Sequence, residues 1–261
     1  MTNTRPLSPK SPEEIERLAR GGAILRGVLE EVAALVKPGV TGAYLDAEAE
    51  RRLRRRRAEP SFKGYSTSGR PNDAFPAALC VSVNSAVVHG LPTDVPFQEG
   101  DIVGLDLGCR FEELYTDTAM TVPVGKISRE AKRLLTITRR ALTAAVALVR
   151  PGVTTGDIGA TVQKIVEKAG FSVVRDLVGH GVGYDVHEEP NIPNFGKPGG
   201  GVALLEGAVI AIEPMVVVGQ HQVEVAPDGW TVVVKDRTLA AHEELTVAVT
   251  SDGVRVLTKA A

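Results

Sequence analysis

QEGDIVGLDLG at residues 98–108 and LEGAVIAIEPM at residues 205–215 are two versions of one pattern. Each opens with Glu-Gly, runs through apolar and β-branched residues, and carries an acid at its end, Asp106 in the first and Glu213 in the second. A short apolar run behind a glycine turn reads as a buried strand. A second pair repeats as well. LVKPGVTGAYLDAEAERRL from residue 35 and LVRPGVTTGDIGATVQKIV from residue 148 each give a helix end, a Pro-Gly turn and a newly capped helix. Asp117 in YTDTAMTV and Glu244 in EELTVAV each open a Thr-containing strand. Two copies of such a unit imply a pseudo-symmetric α/β fold in a single domain, residues 1–261, with halves about 12–127 and 128–250.

The two halves deliver equivalent carboxylates to one centre. A buried carboxylate is costly unless it is paired or holds a metal. Asp106, Asp117, Glu213 and Glu244, with His180 in DLVGHGVG, all lie in or beside apolar runs. Four carboxylates carry a formal charge of about −4, which two divalent cations would neutralise. Isolated, His180 reads as a satisfied histidine in a glycine turn and Asp117 as a turn residue. Together they point to a dinuclear metal site. GHGVG also resembles a dinucleotide loop, but Pro190 and Pro193 follow it where a helix would have to start. The same prolines exclude an H-E-x-x-H zinc helix at HEEPNIPNF.

Bulk properties bound the rest. The chain has 261 residues, 43% of them hydrophobic, which is enough for one large core or two small ones. A net charge of −2 gives no electrostatic reason to expect nucleic acid or a membrane as the main partner. Cys80 and Cys109 form no C-x-x-C pair and fit a reducing compartment. No apolar stretch approaches the roughly 18 to 20 residues of a membrane span, and no secretory signal is visible. A cytoplasmic location is expected. The first helix is expected from Ser11, with Pro12 at its first position and Glu14 completing a capping box. Further helices are expected after Thr41, from about Ser128 to Val149, and from about Thr155 to Ala169. The arginine run from Arg51 to Arg57 reads as a solvated helix face, with ribosomal RNA as the alternative.

Six motifs in order, VVHGLP (87–92), LDLG (105–108), YTDTA (115–119), GHGVG…HEEP (179–190), IEPM (212–215) and GW…EELT (229–246), resemble those of the type I methionine aminopeptidases across essentially the whole chain. The resemblance implies the "pita-bread" fold, an antiparallel sheet with helices on its outer face. It implies Asp106, Asp117, His180, Glu213 and Glu244 as ligands of two divalent ions, with Asp117 and Glu244 bridging. Glu243 remains the alternative to Glu244, because Leu245 departs from the family pattern at this point. An oxygen-rich set with one imidazole suits Mn, Fe or Co, with Zn as a further option.

By the same resemblance, Glu213 shuttles a proton to the leaving amine. His187 stabilises the oxyanion and His89 contacts the peptide nitrogen on the leaving side. Tyr65, Phe75, Cys80, His89 and Trp230 would line a methionine pocket. Turn packing for Trp230, a small buried hydrophobe for Cys80, and plain loop aromatics for Tyr65 and Phe75 are the bland readings. Val186 stands where relatives carry an aromatic, so a looser pocket is expected. Residues 67–73 resemble an insertion at its rim, and His242 replaces an expected Gln.

The activity implied is removal of the initiator methionine from nascent chains whose second residue is small, by a monomer in transient contact with the ribosome. A proline-specific aminopeptidase of the same fold and a non-catalytic binding relative are the competing readings. The short run before the first helix weighs against the former, and the complete ligand set against the latter.

Overall fold

The structure, a computed structural model, describes residues 7–66 and 74–259. Insertion 67–73 therefore lies outside the described residues. The first half contains helices α1 (Pro12–Ala33) and α2 (Gly42–Arg55), then strands β1 (Glu59–Pro60), β2 (Leu79–Val83), β3 (Ala86–Val88), β4 (Ile102–Phe111) and β5 (Leu114–Pro123). The second half begins with α3 (Arg129–Leu148) and α4 (Thr155–Lys168). Strands β6 (Ser172–Val173), β7 (Val178–Gly181), β8 (Glu188–Pro193), β9 (Val209–Ile212) and β10 (Met215–Val217) follow. The chain then continues through β11 (Val223–Val225), β12 (Val232–Val234), β13 (Ala240–His242), β14 (Glu244–Thr250) and β15 (Gly253–Val256).

Capping chemistry sets where each helix starts. The Ser11 hydroxyl accepts from the Glu14 N–H while the Glu14 carboxylate accepts from the Ser11 N–H, the reciprocal box that the sequence predicts. Thr41, Ser128 and Thr154 cap the other three helices through their hydroxyls.

The main sheet is antiparallel throughout, in the order β1-β4-β5-β14-β9-β7-β8, with β2 also on β4 and β15 also on β14. The two halves join where β5 meets β14, at Leu245 opposite Thr118 and Glu244 opposite Ala119. Each half packs its helices on its own core. Leu25, Leu29 and Leu53 of α1 and α2 pack with Leu105 and Leu107 of β4. Leu134, Ile158 and Val162 of α3 and α4 pack with Ile210 and Val247.

The repeat extends to individual hydrogen bonds. Gly39 and Gly152 both hold positive φ (88° and 86°) in the turn before a helix. Their N–H groups donate at 2.9 Å to Phe97 and Leu204, which donate back at 2.8 Å to Val40 and Val153. Gly100 and Gly207, the glycines of the two Glu-Gly openings, likewise take positive φ and donate to Val124 and Val249. Equivalent sequence has produced equivalent turns, and these turns place the strands that carry the acids.

Candidate metal centre and active site

Strand register brings the predicted ligands onto one face of the sheet. Asp106 on β4 and Glu244 on β14 both sit opposite Ala119 of β5. Asp117 is two residues before Ala119, so the two-residue period of a strand puts it on the same face. Thr246, two past Glu244, pairs with Ala211 of β9, and Ala211 pairs with His180 of β7. Glu213 is two residues past Ala211, just beyond the end of β9. Thr246 ties the rows together, accepting from the Asp117 N–H at 3.0 Å and donating to the Asp117 carbonyl at 2.7 Å.

These five side chains line a single cavity of about 450 Å³, together with Tyr65, Phe75, Cys80, His89, His187 and Trp230. The expected ligands, both further histidines and the four other expected pocket residues are thus in one place. Glu243 is not. Its carboxylate turns away to accept from Arg139 Nε at 2.8 Å, while Glu244 faces the cavity. Ligand atoms of Asp117, His180 and Glu244 lie within 4.8 Å of one another, close enough to share an ion.

The donor set fits a metal on its own geometry. Asp106 Oδ1, Asp117 Oδ1 and Glu244 Oε1 are buried and have no hydrogen-bond partner. Orphaned buried carboxylate oxygens are rare, and an ion is the simplest thing that satisfies several at once. Burial weakens these acids in the same sense. Asp106 is pushed up to about 6, chiefly by desolvation. Asp117 and Glu244 are raised well above the usual carboxylate range, first by desolvation and then by neighbouring carboxylates, Asp106 and Glu213 acting on Asp117, and Asp117, Glu213 and Asp106 acting on Glu244. The His180 ring is oriented by its Nδ1, 2.9 Å from the Gly181 carbonyl, so Nδ1 carries the proton and Nε2 is left as a ligand. That Nε2 is 3.5 Å from Glu213 Oε1.

Two side chains tune this set. His242 Nε2 lies 3.3 Å from Glu213 Oε2, so Glu213 stands between two imidazoles. His187 Nδ1 is 2.7 Å from the Tyr65 hydroxyl, and its ring packs edge-on against His180 with centroids 4.4 Å apart. Burial, with His180 and His89 nearby, holds His187 down to about 2, so it remains neutral. His89 is also lowered by burial, and it occupies positive φ of 56°.

The pocket wall contains a residue not anticipated from the sequence. Phe62 lines the cavity and clusters with Phe75, Cys80 and Val186, with Trp230 packed edge-on to Phe75 at 5.2 Å. Val186 is buried within that cluster rather than on the cavity surface. Phe62 brings an aromatic ring into the same cluster, so the valine does not leave the wall without one. A cue existed in the string FKGY, where Phe62 precedes Tyr65 by three residues, but strand or helix periodicity carries no information in an irregular loop.

An oxygen-rich, water-accessible cavity at the junction of two half-sheets defines a class of metal-dependent hydrolases, and comparison with known proteins agrees. The sequence model of metallopeptidase family M24 matches residues 16–251, and the chain belongs to that family. Within it, the chain is 43% identical to a methionine aminopeptidase of Clostridium perfringens, over 95% of this chain and 97% of that protein. It superposes with a TM-score of 0.93 on the crystal structure of a methionine aminopeptidase from Thermotoga maritima, at 42% identity, covering 97% of this chain and 99% of the other. The prolidase from Pyrococcus furiosus shares the fold at a TM-score of 0.76 and 24% identity, with 97% of this chain matching 66% of that one. The pita-bread architecture that the resemblance implies, and whose pseudo-symmetry the repeat foreshadows, is the one present, and divalent metal use follows from the family.

Proposed function

We propose that this chain is a methionyl aminopeptidase that removes the N-terminal methionine from new proteins whose second residue is small. The observation that carries the reading is the row of orphaned carboxylate oxygens with His180, at the floor of an apolar, sulfur-tolerant cavity. The whole chain acts as one catalytic unit, because the ligands come from both halves.

Asp106, Asp117, His180, Glu213 and Glu244 would hold two divalent ions, with Mn, Fe or Co favoured by the donors and Zn a further option. Bound there, such ions supply an acidified water and Lewis-acid polarisation of a carbonyl. The protein's own groups do the rest. The Tyr65 hydroxyl donates to His187 Nδ1, which leaves Nε2–H as the donor for the scissile carbonyl oxygen as charge develops on it. Burial raises the Tyr65 phenol above its usual range and keeps that proton in place. Glu213, fixed between His180 and His242, takes a proton and passes it to the leaving amine. His89 contacts the peptide nitrogen, while Phe62, Phe75, Cys80 and Trp230 enclose the methionine side chain.

Among the described residues no helix is long and apolar enough to cross a membrane, and Cys80 and Cys109 are unbridged. A cytoplasmic location and a monomeric state are part of this reading. Arg51, Arg52, Arg54 and Arg56 pair with Glu31, Glu48 and Glu50, so this face is largely self-neutralised, which favours the solvated-face reading over ribosomal RNA; any ribosome contact would be transient. The test is release of free amino acid from Met-Ala-Ser, Met-Lys-Ser and Ala-Pro-Ser in the presence of Mn²⁺. Cleavage of the first alone is expected. Cleavage of Ala-Pro-Ser instead would move the chain to the proline-specific reading.

A further inference from the structure

Lys10 belongs to the short Pro-flanked segment before α1, in the string SPKSPEE. Its side chain is nonetheless fully buried. Lys10 Nζ donates to Glu188 Oε2 at 2.5 Å, and both side chains are 0% exposed. The pair joins residues 178 positions apart. The other oxygen of Glu188 accepts the Tyr184 N–H at 2.5 Å and the Asp185 N–H at 3.1 Å. One carboxylate therefore closes the turn that leads to His187 and anchors that turn to the N-terminal segment.

Four further contacts fit the same purpose. Lys10 Nζ stands 4.5 Å over the Tyr184 ring, and the Tyr184 hydroxyl donates at 2.9 Å to Glu14, the capping acid of α1. The Lys10 N–H donates at 2.7 Å to the Gly207 carbonyl, so the segment is fixed to the start of the strand that leads to Glu213. Gly183 has φ of 144°, and a Cβ there would lie 2.4 Å from Lys10 Cε, so the lysine stem passes where only glycine leaves room.

A buried ion pair is a poor device for stability alone, because apolar residues of similar volume generally serve as well or better. It is a good device for fixing one geometry, since an ammonium and a carboxylate with its other oxygen already bonded have few alternatives in a dry interior. We propose that Lys10 is a positioning residue for His187: its buried ammonium holds Glu188, and through Glu188 the 184–187 turn, so that the adjacent imidazole is aimed before substrate arrives. This rests on the reading that His187 serves the scissile carbonyl.

The test is a cycle of the neutral pair Lys10→Met/Glu188→Gln with His187→Ala, in the full chain loaded with Mn²⁺. The amide oxygen left at 188 still accepts from the Tyr184 N–H, so folding survives. Lys10→Arg is the conservative control. Expected for the neutral pair are Mn²⁺ affinity within about twofold of the parent, faster amide hydrogen exchange confined to residues 182–188, and kcat for Met-Ala-Ser lower by about 10- to 100-fold with KM little changed. Lys10→Arg, with Glu188 kept, should retain most of kcat. In the His187→Ala background the neutral pair should cost nothing further, because both act through one imidazole. An unchanged kcat and exchange pattern in the neutral pair, or a loss that adds in full to that of His187→Ala, would overturn the proposal. A fully active His187→Ala would overturn the role of His187 itself, and this proposal with it, a result distinct from the other two.

Discussion

Replacing Asp106 by Asn should stabilise the metal-stripped protein while destroying its site. Asp106 is pushed from 3.8 up to about 6, first by burial and further by the charge of Glu213, against the opposing pull of His242. At about 1.36 kcal/mol per pH unit, that displacement amounts to about 3 kcal/mol. The direction follows from which state keeps the proton. Between about pH 4 and pH 6 the unfolded chain has released it and the folded chain has not, so this group's contribution to stability falls as pH rises and is fully lost above about 6.

Asparagine has nearly the same shape and no charge to desolvate. Urea unfolding in chelator at pH 8 should therefore find Asp106→Asn more stable than the parent by about 1 to 3 kcal/mol. The advantage should vanish near pH 4. Saturating Mn²⁺ should then reverse the order, because only the parent gains the binding energy of the complete site. A variant that is less stable than the parent in chelator at pH 8, or that gains as much from Mn²⁺, would refute the reasoning.

Other outcomes follow from particular contacts. His242→Ala removes the imidazole 3.3 Å from Glu213 and should weaken Mn²⁺ binding by about 10- to 100-fold in calorimetry, with His242→Gln recovering most of it through its amide N–H. Phe62→Ala opens the pocket wall and should lower kcat/KM for Met-Ala-Ser by about 10-fold or more, while cleavage of Phe-Ala-Ser rises from its baseline. Leu25→Ala empties part of the first-half core, where the side chain is fully buried, and should cost about 2 to 5 kcal/mol in urea unfolding with the Mn²⁺ affinity of the folded protein unchanged.

The legible part of the molecule is the part governed by local rules. Ser11, Thr41, Ser128 and Thr154 mark all four described helices to within a residue, because a cap is a contact between near neighbours. The Glu-Gly openings and Pro-Gly turns were readable as a repeat because positive φ at Gly39, Gly100, Gly152 and Gly207 demands glycine. The ligand acids stood out because nothing apolar explains a carboxylate in those runs.

What was not legible depends on contacts distant in sequence. Alternation placed Glu244 inward, but only Arg139, on α3 more than a hundred residues earlier in the chain, shows where Glu243 goes. Phe62 belongs to a loop, where spacing predicts no direction. Lys10 sits between prolines, where nothing local points to a partner 178 positions away. His242 was visible as an unusual residue, and its approach to Glu213 required the fold.

The most direct test of the metal centre is to measure bound Mn²⁺ and methionine release from Met-Ala-Ser together, as metal is returned to chelator-stripped protein. The account predicts no release at zero occupancy, activity rising with bound ion, and saturation at about two ions per chain. Full activity in protein with no measurable bound metal would contradict it.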